Sequence, residues 1–505
     1  MFYPSLKTVR KLSSSFNRIP VYKELNLSEL HLLSLLKSLQ SKEEVIFLES
    51  ARENKKWSRF SFFGFHPRKK IRYSPPVIEV EEGGKVQQIG EDIFTYLNRE
   101  LEAHRSPSYR SFGPFNGGFV GYFGYETVNY TGILRRKIRE RKDVPLAYLL
   151  QIDSFIVHDN HKNRYYLAEC FYPQEDQSLS EQYEKCRQTL LQREEELIAE
   201  LEKTSLPYLP AHPDQKTEVH FREDKESFTR KVEKVQELIR SGEAIQVVLS
   251  LRADIGEEID PYSFYLRLRS VNPSPYMFFL KFGTLYVVGS SPEIHVKVEN
   301  RKVYLKPIAG TISQGKNRTE SARNKQILLH DKKERAEHLM LVDLGRNDLG
   351  RIAREGTVRV RSFMKPEDYS HVIHLVSLVD CDLHDKYTEV DVLKETFPAG
   401  TVSGAPKVRA IEIIEELESH PRDIYSGAVG YCGFNGNLDT CITIRSAVFH
   451  DDERYLQAGA GIVYDSVPEK EYQEITNKLK ALAESLDYAR TKKSRKESPS
   501  HVFND

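Results

Sequence analysis

The sequence predicts an α+β fold of the mixed α/β kind, and three observations lead to this prediction. From residue 217 to about residue 488, short apolar runs of strand type alternate with segments of helical periodicity. The preceding segment, to about residue 173, consists of apolar runs separated by Gly, Pro and Asn. No regular period of a barrel or repeat array runs through this order. The 505 residues suffice for two domains or one large two-lobed fold.

The N-terminal region, residues 1–205, is predicted to contain strands followed by a long helix. The runs FNGGFVGYFGYE (115–126) and AYLLQIDSFIVHD (147–159) have the composition of strands. Residues 180–203 carry many charges beside an apolar stripe, which indicates a helix. The proline-rich segment 206–216 has no such pattern and is the predicted linker.

The C-terminal region, residues 217–489, begins with a predicted helix and strand. Apolar residues recur at helical spacing from Phe228 to Ile239, and a Ser-Gly pair then ends the helix. The strand AIQVVLSLRADI (244–255) follows. The remaining tail, 490–505, is basic and polar, so we expect a disordered, solvated end rather than a nucleic-acid-binding segment.

Composition excludes several classes of partner. Basic and acidic side chains number 74 each, and the pI is near 7.3, so no global field favours nucleic acid or a membrane. No apolar run reaches the ~18 residues of a membrane-spanning helix. The first twenty residues lack a secretory signal core, so a cytoplasmic protein is expected, with a transit peptide as the alternative. The five scattered cysteines show no CxxC spacing and are predicted to be free thiols.

A capped helix is predicted at residues 465–480, DSVPEKEYQEITNKLK. Ser466 and Glu469 have the Ser-x-x-Glu spacing of a capping box, in which each residue satisfies a backbone N–H of the first turn. Pro468 is tolerated in that turn, where its missing N–H costs nothing.

Two pairs of glutamates at helical spacing are candidate metal ligands. Glu471 and Glu474 lie three residues apart on the predicted helix, and Lys478 follows on the same face. Glu334 and Glu337 have the same spacing in HDKKERAEHLMLVDLGRNDLGR. If the pairs face each other, they form an anionic, oxygen-lined pocket that suits Mg²⁺. Spacing alone favours ordinary surface glutamates.

Two glycine-rich segments are candidate ligand-binding loops. Gly459 and Gly461 in LQAGAGIVYDS would let the backbone approach an anion, although a simple bulge or turn explains them equally well. PIAGTISQGK is predicted to form a tight turn in which Thr311 can donate a hydrogen bond to an acid. Neither AGAG nor PAGTVSGAPK completes a Rossmann or Walker motif, so a nucleotide site is excluded.

Three further polar side chains lie in or beside predicted strands. His374 interrupts a largely apolar strand, a pattern more typical of a satisfied core histidine than of a catalyst. Arg445 is predicted inside the apolar strand TCITIRSAVF, where a buried guanidinium needs a carboxylate from the protein or a ligand. Glu293 follows a proline at a strand end.

Together these motifs resemble the chorismate-utilising enzymes. The resemblance extends from about residue 20 to residue 488. The motifs that carry it are PIAGT, KERAEHLMLVDLGRNDLGR, HLVS, FPAGTVSGAPK, TIRSA and AGAGIVYDS with EYQEITNK. Within that family the chain is most similar to the large subunits of anthranilate synthase, component I. The resemblance implies a two-lobed α+β fold, with large antiparallel or mixed sheets packed with helices and an active site between the lobes.

The resemblance also implies a Mg²⁺ site and a chorismate site. Glu337 and Glu474 would hold the ion directly or through water, with Glu334 and Glu471 beside them. Chorismate is a dianion without phosphate, so its site needs a cation and amide donors but no Walker loop. The substrate-binding residues that the resemblance implies are Ala309, Gly310, Thr311, Tyr425, Arg445, Gly459, Ala460, Gly461 and Lys478.

In the family's reaction, ammonia adds at C2 as the C4 hydroxyl leaves, and elimination of pyruvate then gives the aromatic amine. Glu293 matches the general acid for the departing hydroxyl, and a raised carboxyl pKa would suit that task. His374 matches the histidine associated with elimination. Gln246 replaces the lysine base of the water-adding relatives, which favours amine formation. Ala309 replaces the lysine of a PIKGT turn, which favours anthranilate over the alternative, aminodeoxychorismate.

The resemblance further implies feedback regulation. FLES (47–50) and NPSPYMFF (272–279) resemble the two segments of a tryptophan inhibition site, although Phe47 replaces the usual leucine. The alternative is that the two segments are only strand ends that pack together. The predicted inhibitor-binding residues are Glu49, Ser50, Pro275, Tyr276 and Met277.

A partner subunit is implied because the chain shows no glutaminase signature. Ammonia would come from a separate glutamine amidotransferase, component II, in a hetero-oligomer, or from free ammonium at high concentration. A catalytically silent module that senses tryptophan is the alternative from another class of protein. The joint presence of Glu293, Glu337, His374, Arg445 and Glu474 speaks against that alternative.

Overall fold

The structure is a computed structural model, and it describes residues 2–41, 44–51, 59–207, 216–369, 372–451 and 453–489. Within these ranges the chain forms 25 β-strands and 11 α-helices, and every strand pairing is antiparallel. The predicted α+β fold is confirmed. Most of the predicted linker (208–215) and the predicted tail (490–505) lie outside the described residues.

The strands fall on both sides of the proline-rich segment. Before it lie β1 Phe2–Tyr3, β2 Ile19–Leu25, β3 Val45–Glu49, β4 Phe60–Phe65, β5 Lys69–Ser74, β6 Val77–Glu82, β7 Lys85–Ile89, β8 Gly118–Phe123, β9 Ala147–Ile152, β10 Ser154–Asp159 and β11 Arg164–Phe171. After it lie β12 Val219–Phe221, β13 Gln246–Ile255, β14 Tyr276–Phe282, β15 Leu285–Ser291, β16 Ile294–Glu299, β17 Lys302–Leu305, β18 Ile308–Ser313, β19 Arg359–Asp368, β20 Val372–Asp382, β21 Gly404–Ala405, β22 Ala428–Gly433, β23 Leu438–Ile442, β24 Ser446–His450 and β25 Glu453–Ile462.

The helices are interspersed with these strands. They are α1 Leu6–Leu12, α2 Glu29–Leu39, α3 Ile93–Ala103, α4 Leu179–Lys203, α5 Lys225–Arg240, α6 Pro261–Val271, α7 Arg318–His330, α8 Lys332–Gly350, α9 Glu389–Thr396, α10 Lys407–Leu417 and α11 Pro468–Leu486. Short 3₁₀ helices lie at Arg110–Phe112, Tyr125–Tyr130 and Gly400–Val402.

The strands form two large sheets. The first has the order β1-β2-β11-β10-β4-β3-β14-β15-β24-β25-β13-β12, with β21 paired to β13. The second has the order β18-β20-β17-β16-β23-β22-β8-β9-β5-β6-β7, with β19 paired to β20. Each sheet combines strands from both regions of the chain, because β3 pairs with β14 and β8 pairs with β22.

The two sheets pack face to face between helices. The apolar cluster between them includes Ile46 and Phe155 of the first sheet and Tyr122 and Val429 of the second. Other clusters join the first sheet to α2, α4, α5, α6 and α11, and the second sheet to α3, α8 and α9. Full burial of one such large apolar side chain contributes about 1.5–3 kcal/mol. These layers fix the positions of α8 and α11, the two helices that carry the glutamate pairs.

Most predicted elements are confirmed, but the predicted cap of the last helix is wrong. The strand runs at 115–126 and 147–159 contain β8, β9 and β10, and the helix at 180–203 is α4. Helix α11 is capped by Val467 with no side-chain bond. The Ser466 hydroxyl instead accepts the N–H of Val463 at 3.1 Å, and so closes the turn before the helix.

The structure also shows the state of the cysteines and whether any described helix could cross a membrane. All five cysteines are buried free thiols. Among the described residues, no helix is both long enough and apolar enough to cross a membrane.

Candidate active site

The segment PIAGTISQGK forms a strand rather than the predicted turn. It becomes β18, and its ladder with β20 shifts register between Ala309 and Thr311. Gly310 lies at this bulge with φ 77°, a conformation that favours glycine. The Thr311 N–H donates to Glu334 Oε2 at 2.9 Å, and the Thr311 hydroxyl is hydrogen-bonded to His374 Nδ1 at 3.0 Å. The bulge therefore joins a threonine, a histidine and a glutamate.

The two glutamate pairs come together from α8 and α11. Burial raises the pKa of Glu337, and the neighbouring charges of Glu334 and Glu474 raise it further. Burial likewise raises the pKa of Glu471, with a smaller contribution from Glu474. Glu334 lies in the first turn of α8, where the Asp331 side chain accepts its backbone N–H at 3.0 Å. Carboxylates far apart in sequence therefore share one electrostatic environment.

These carboxylates fit a cation. Among the described residues, no group of three or more His, Cys, Asp and Glu side chains could by itself hold a metal ion. Mg²⁺ commonly uses only one or two protein carboxylates and completes its octahedron with water and substrate oxygens. A divalent ion here would relieve the repulsion among Glu334, Glu337 and Glu474.

Two glycines of β25 lie close to the side chains of Gln246 and Tyr425. They lie inside this strand rather than in a turn, and Gly461 pairs with Val248 of β13. A Cβ at Gly461 would lie 2.5 Å from Gln246 Nε2, and one at Gly459 would lie 3.0 Å from the Tyr425 hydroxyl. Any larger residue would therefore displace these side chains. Lys478 Nζ donates to the Gly459 carbonyl at 2.9 Å and pairs with Glu474 at 2.7 Å.

The side chain of Ala460, between these two glycines, points to the other face of the sheet. It belongs to the apolar cluster between the first sheet and its helices, so only its backbone can face a ligand. The β24–β25 ladder ends at Leu456. Beyond that point, among the described residues, the β24 side of β25 has no strand partner. Backbone groups on that edge remain available to bind an anion.

Glu293 and Arg445 lie together at the ends of neighbouring strands. The prediction that Arg445 lies inside a strand is wrong. It lies between β23 and β24, with φ 50°. Burial lowers the pKa of its guanidinium, and Glu293 partly offsets this change. Burial raises the pKa of Glu293 to about 7, and the Thr401 hydroxyl and Arg445 oppose the rise. A carboxyl with this pKa is partly protonated at neutral pH, as a general acid requires.

Tyr369 connects the two halves of the site. It contributes to the pKa of Arg445 in the direction that raises it, and its ring packs edge-on against His374 with centroids 4.9 Å apart. The sequence reasoning missed Tyr369 and Thr401. Thr401 lies inside FPAGTVSGAPK, a segment that excludes a nucleotide loop and contributes to the family resemblance but does not by itself point to this residue. Tyr369 had no sequence signal.

Gln246, Ala309 and Tyr425 make the remaining polar contacts among the predicted residues. Gln246 is 3% exposed and hydrogen-bonds the Glu337 carboxylate. The Ala309 carbonyl lies 3.3 Å from His338 Nδ1. Tyr425 is buried, which raises its pKa to about 12 and keeps its hydroxyl protonated. These contacts place Gln246 beside Glu337 and the Ala309 carbonyl beside His338, and the catalytic, metal-binding and substrate-binding roles of the predicted residues stay predictions.

The five predicted inhibitor-binding residues lie in a different cavity. Its volume is about 530 Å³, and it is lined by all five, together with Arg110, Val429, Tyr431, Asp439 and Cys441 among others. Its lining, among the described residues, includes none of the predicted catalytic or substrate-binding residues. FLES and NPSPYMFF meet because Met277 pairs with Glu49 across β14 and β3, and the Ser50 hydroxyl donates to the Pro275 carbonyl at 3.2 Å.

Glu49 is held firmly at the edge of this cavity. Its carboxylate accepts from Arg269 Nη2 at 2.7 Å and from the Tyr265 hydroxyl at 2.5 Å. Burial raises the pKa of Glu49 to about 7, and the bond from Tyr265 opposes the rise. On the far side, the Tyr276 hydroxyl donates to Asp439 Oδ1 at 2.9 Å. The cavity therefore combines apolar side chains with both acidic groups, such as Glu49 and Asp439, and basic groups, such as Arg110 and Lys297.

Similarity to known proteins extends over nearly the whole chain. The family model for chorismate binding enzymes matches residues 44–484. Anthranilate synthase component 1 of Aquifex aeolicus is 43% identical over 489 residues, which cover 96% of this chain and 98% of that protein. The Acetivibrio thermocellus protein of the same name is 38% identical, with 97% and 99% covered.

Solved structures give the same result. Anthranilate synthase component I from Streptococcus pneumoniae TIGR4 is 35% identical and has a TM-score of 0.72, with 84% of this chain and 92% of that chain covered. The isochorismate synthase MenF from Escherichia coli shares the fold, at 20% identity and a TM-score of 0.69, with 95% and 98% covered. The chain belongs to the chorismate-binding enzymes, in the family of the anthranilate synthase component 1 proteins.

Proposed function

We propose that the protein is the large subunit of an anthranilate synthase, which converts chorismate and ammonia to anthranilate and pyruvate. The observation that carries this proposal is the position of Gln246, whose amide hydrogen-bonds Glu337, next to Glu334 and Glu474. A neutral amide cannot take a proton from water, so a site with this residue suits an amine nucleophile that needs no such base.

The substrate carboxylates have separate partners in this proposal. Arg445 offers its guanidinium fork to the enolpyruvyl carboxylate, next to the unpaired edge of β25 and Lys478. The ring carboxylate would lie by Thr311, between β18 and α8. Mg²⁺, held by Glu337 and Glu474 with Glu334 and Glu471 beside them, would supply positive charge against that carboxylate.

The protonation state of Glu293 fits the first chemical step. As ammonia adds at C2, the C4–O bond breaks, and the protonated carboxyl of Glu293 gives its proton to the departing hydroxyl, which leaves as water. The pKa of about 7 keeps that proton available near neutral pH. His374, held by the Thr311 hydroxyl at 3.0 Å, would act in the elimination of pyruvate.

An assay of the isolated chain tests this function. Chorismate, Mg²⁺ and ammonium should yield anthranilate fluorescence, and chromatography distinguishes anthranilate from a para-substituted aminodeoxychorismate. With glutamine as the only nitrogen source, product should form only when a glutamine amidotransferase subunit is added. A para-substituted product would assign the chain to aminodeoxychorismate synthase, and absence of any product would support a silent binding module.

The variant Gln246→Lys tests the choice of nucleophile. We expect a loss of anthranilate formation of at least about tenfold and the appearance of a hydroxylated product, since a lysine amine can act as a base toward water. Product chromatography measures both outcomes. Gln246→Met is the matched control, because it has similar length but no base. If Gln246→Lys formed no hydroxylated product, this position would not decide the nucleophile.

The second part of the proposal is feedback inhibition by tryptophan in the 530 Å³ cavity. The cavity and the site share strands: Ser290 of β15 donates its N–H to the Arg445 carbonyl at 3.1 Å, and Ile442 of β23 donates to the Glu293 carbonyl at 3.1 Å. A shift of β14 or β23 by a bound ligand would thus reach both catalytic groups. Antagonism between inhibitor and substrate is the expected result.

A bulky residue at the cavity should weaken this inhibition. Ser50→Leu places extra methyl groups where the side chain now contacts the Pro275 carbonyl, so we expect the tryptophan concentration for half-inhibition to rise at least about tenfold. Inhibition curves are measured relative to the uninhibited rate of each variant. Ser74→Leu, at an exposed strand end, is the matched control. Unchanged sensitivity in Ser50→Leu would place the inhibitor elsewhere.

A further inference from the structure

A fully buried arginine lies behind the candidate active site. Arg422 is 1% exposed, and its guanidinium donates to the Val402 carbonyl at 2.6 Å and to the Val248 carbonyl at 2.7 Å. It also forms a bidentate pair with Glu418, at 2.9 and 2.7 Å. Such a planar fork fixes the relative positions of all the groups that it contacts.

Each of these contacts is made with a segment that also carries a residue of the candidate site. Val402 directly follows Thr401, the residue whose hydroxyl affects Glu293. Val248 pairs with Gly461, and it follows Gln246 by two residues on β13. The Ser426 hydroxyl accepts from Arg422 Nη1 at 3.4 Å, next to Tyr425. One guanidinium therefore connects three separate segments that carry site residues.

Glu418 extends the connection along β13. Its Oε1 accepts the backbone N–H of Ser250 at 2.7 Å and the Ser250 hydroxyl at 2.9 Å. Ser250 pairs with Gly459, whose carbonyl binds Lys478. The backbone of Arg422 is fixed as well, because its N–H donates to Glu126 Oε1 at 2.7 Å. Both ends of the arginine are thus immobilised.

We infer that Arg422 and Glu418 are positioning residues for catalysis. Together they set the distances between three parts of the site: Thr401 with Glu293, Gln246 with Gly461, and Tyr425. This inference rests on the proposed function for its rate measurements. Small displacements of catalytic groups cost large factors in rate, up to about 100-fold for a shift of 1 Å. Both side chains are buried, and their role in this inference is to position other groups rather than to contact substrate.

A second buried arginine offers a matched control. Arg18 is 0% exposed and donates to Asp153 Oδ1 at 2.6 Å and to the Asn116 carbonyl at 2.9 Å. Its partners belong to the N-terminal region, and none is a predicted catalytic or substrate-binding residue. A lysine at either position keeps the charge but loses the fork. Loss of stability alone should therefore affect both variants in the same way.

The experiment compares Arg422→Lys, Glu418→Gln, their double variant and Arg18→Lys at a temperature well below every melting point. We expect Arg422→Lys and Glu418→Gln to lower kcat for anthranilate formation at least about tenfold, with a smaller change in KM. The double variant should lose little more than the worse single one, because the pair acts as a unit. Arg18→Lys should retain the wild-type kcat despite a lower Tm.

Two results would overturn the inference. One is wild-type kcat in Arg422→Lys and Glu418→Gln, with only the Tm reduced. The other is an equal loss of kcat in Arg18→Lys. Calorimetric titration of each variant with chorismate and Mg²⁺ separates this question from the proposed function. If the wild-type protein binds chorismate but forms no anthranilate, the proposed function fails, whereas an active wild-type protein with unchanged kcat in Arg422→Lys contradicts the positioning role alone.

Discussion

Glu474→Gln should reduce anthranilate formation at least about 100-fold, a loss expected when a metal-binding carboxylate is removed. Glutamine preserves the size of the side chain and one oxygen, but it removes the negative charge that Glu474 exerts on Glu337 and Glu471. Folding should not suffer, because the change relieves repulsion between carboxylates. Steady-state kinetics with chorismate, Mg²⁺ and ammonium measure the effect, and the melting temperature checks the fold.

The binding of tryptophan provides an internal control for this variant. The inhibitor cavity is lined by other residues, so calorimetry should show wild-type affinity in Glu474→Gln. Glu469→Gln, an exposed position one turn earlier on α11, should retain normal turnover. Near-normal turnover in Glu474→Gln would refute the assignment of this side chain to the metal.

Glu293→Gln is expected to lower kcat about 10²- to 10⁴-fold, the usual contribution of a general acid. In the wild-type enzyme, catalysis requires the protonated carboxyl. Because burial raises its pKa to about 7, kcat/KM should fall as the pH rises above about 7. The profile is measured at saturating free ammonia, so that the protonation of ammonium does not contribute. In Glu293→Gln this alkaline decline should disappear from the residual activity.

The same pKa has a consequence for stability. A carboxyl whose pKa is raised in the folded state stabilises that state while it is protonated. This contribution is complete below the unfolded pKa of about 4.5 and is lost as the pH rises through about 7. Glu293→Gln should therefore have a higher melting temperature than the wild type at pH 8 and a similar one at pH 4.

For the activity prediction, an unchanged alkaline decline of kcat/KM in Glu293→Gln would assign the acid role to another group.

Local pattern predicted the long helices and buried strands because their signals lie within one segment. The spacing of Phe228 to Ile239 identified α5, and the apolar run after it identified β13. The positions of bulges and strand ends were not predictable in this way. Residues 308–313 of PIAGTISQGK became a strand because β20 supplies its partner, and Arg445 lies between β23 and β24 with φ 50°.

Glutamate spacing predicted two pairs of carboxylates but not their meeting. That meeting depends on how the sheets place α8 against α11, and the family resemblance rather than spacing indicated it. The interleaving of N-terminal and C-terminal strands was equally invisible, because β3 and β14 lie more than 200 residues apart and contact only in the folded chain. Glu418 and Arg422 lie only four residues apart, but the contacts of Arg422 with backbone carbonyls of distant segments gave no local signal.

The convergence of the glutamates on a divalent ion is the central claim, and anomalous scattering from Mn²⁺ tests it most directly. Crystals grown with Mn²⁺ and chorismate should show one strong peak between α8 and α11, with Glu337 and Glu474 as its nearest carboxylates and the ring carboxylate of chorismate beside it. No peak there, or a chorismate molecule bound far from these four side chains, would contradict the account.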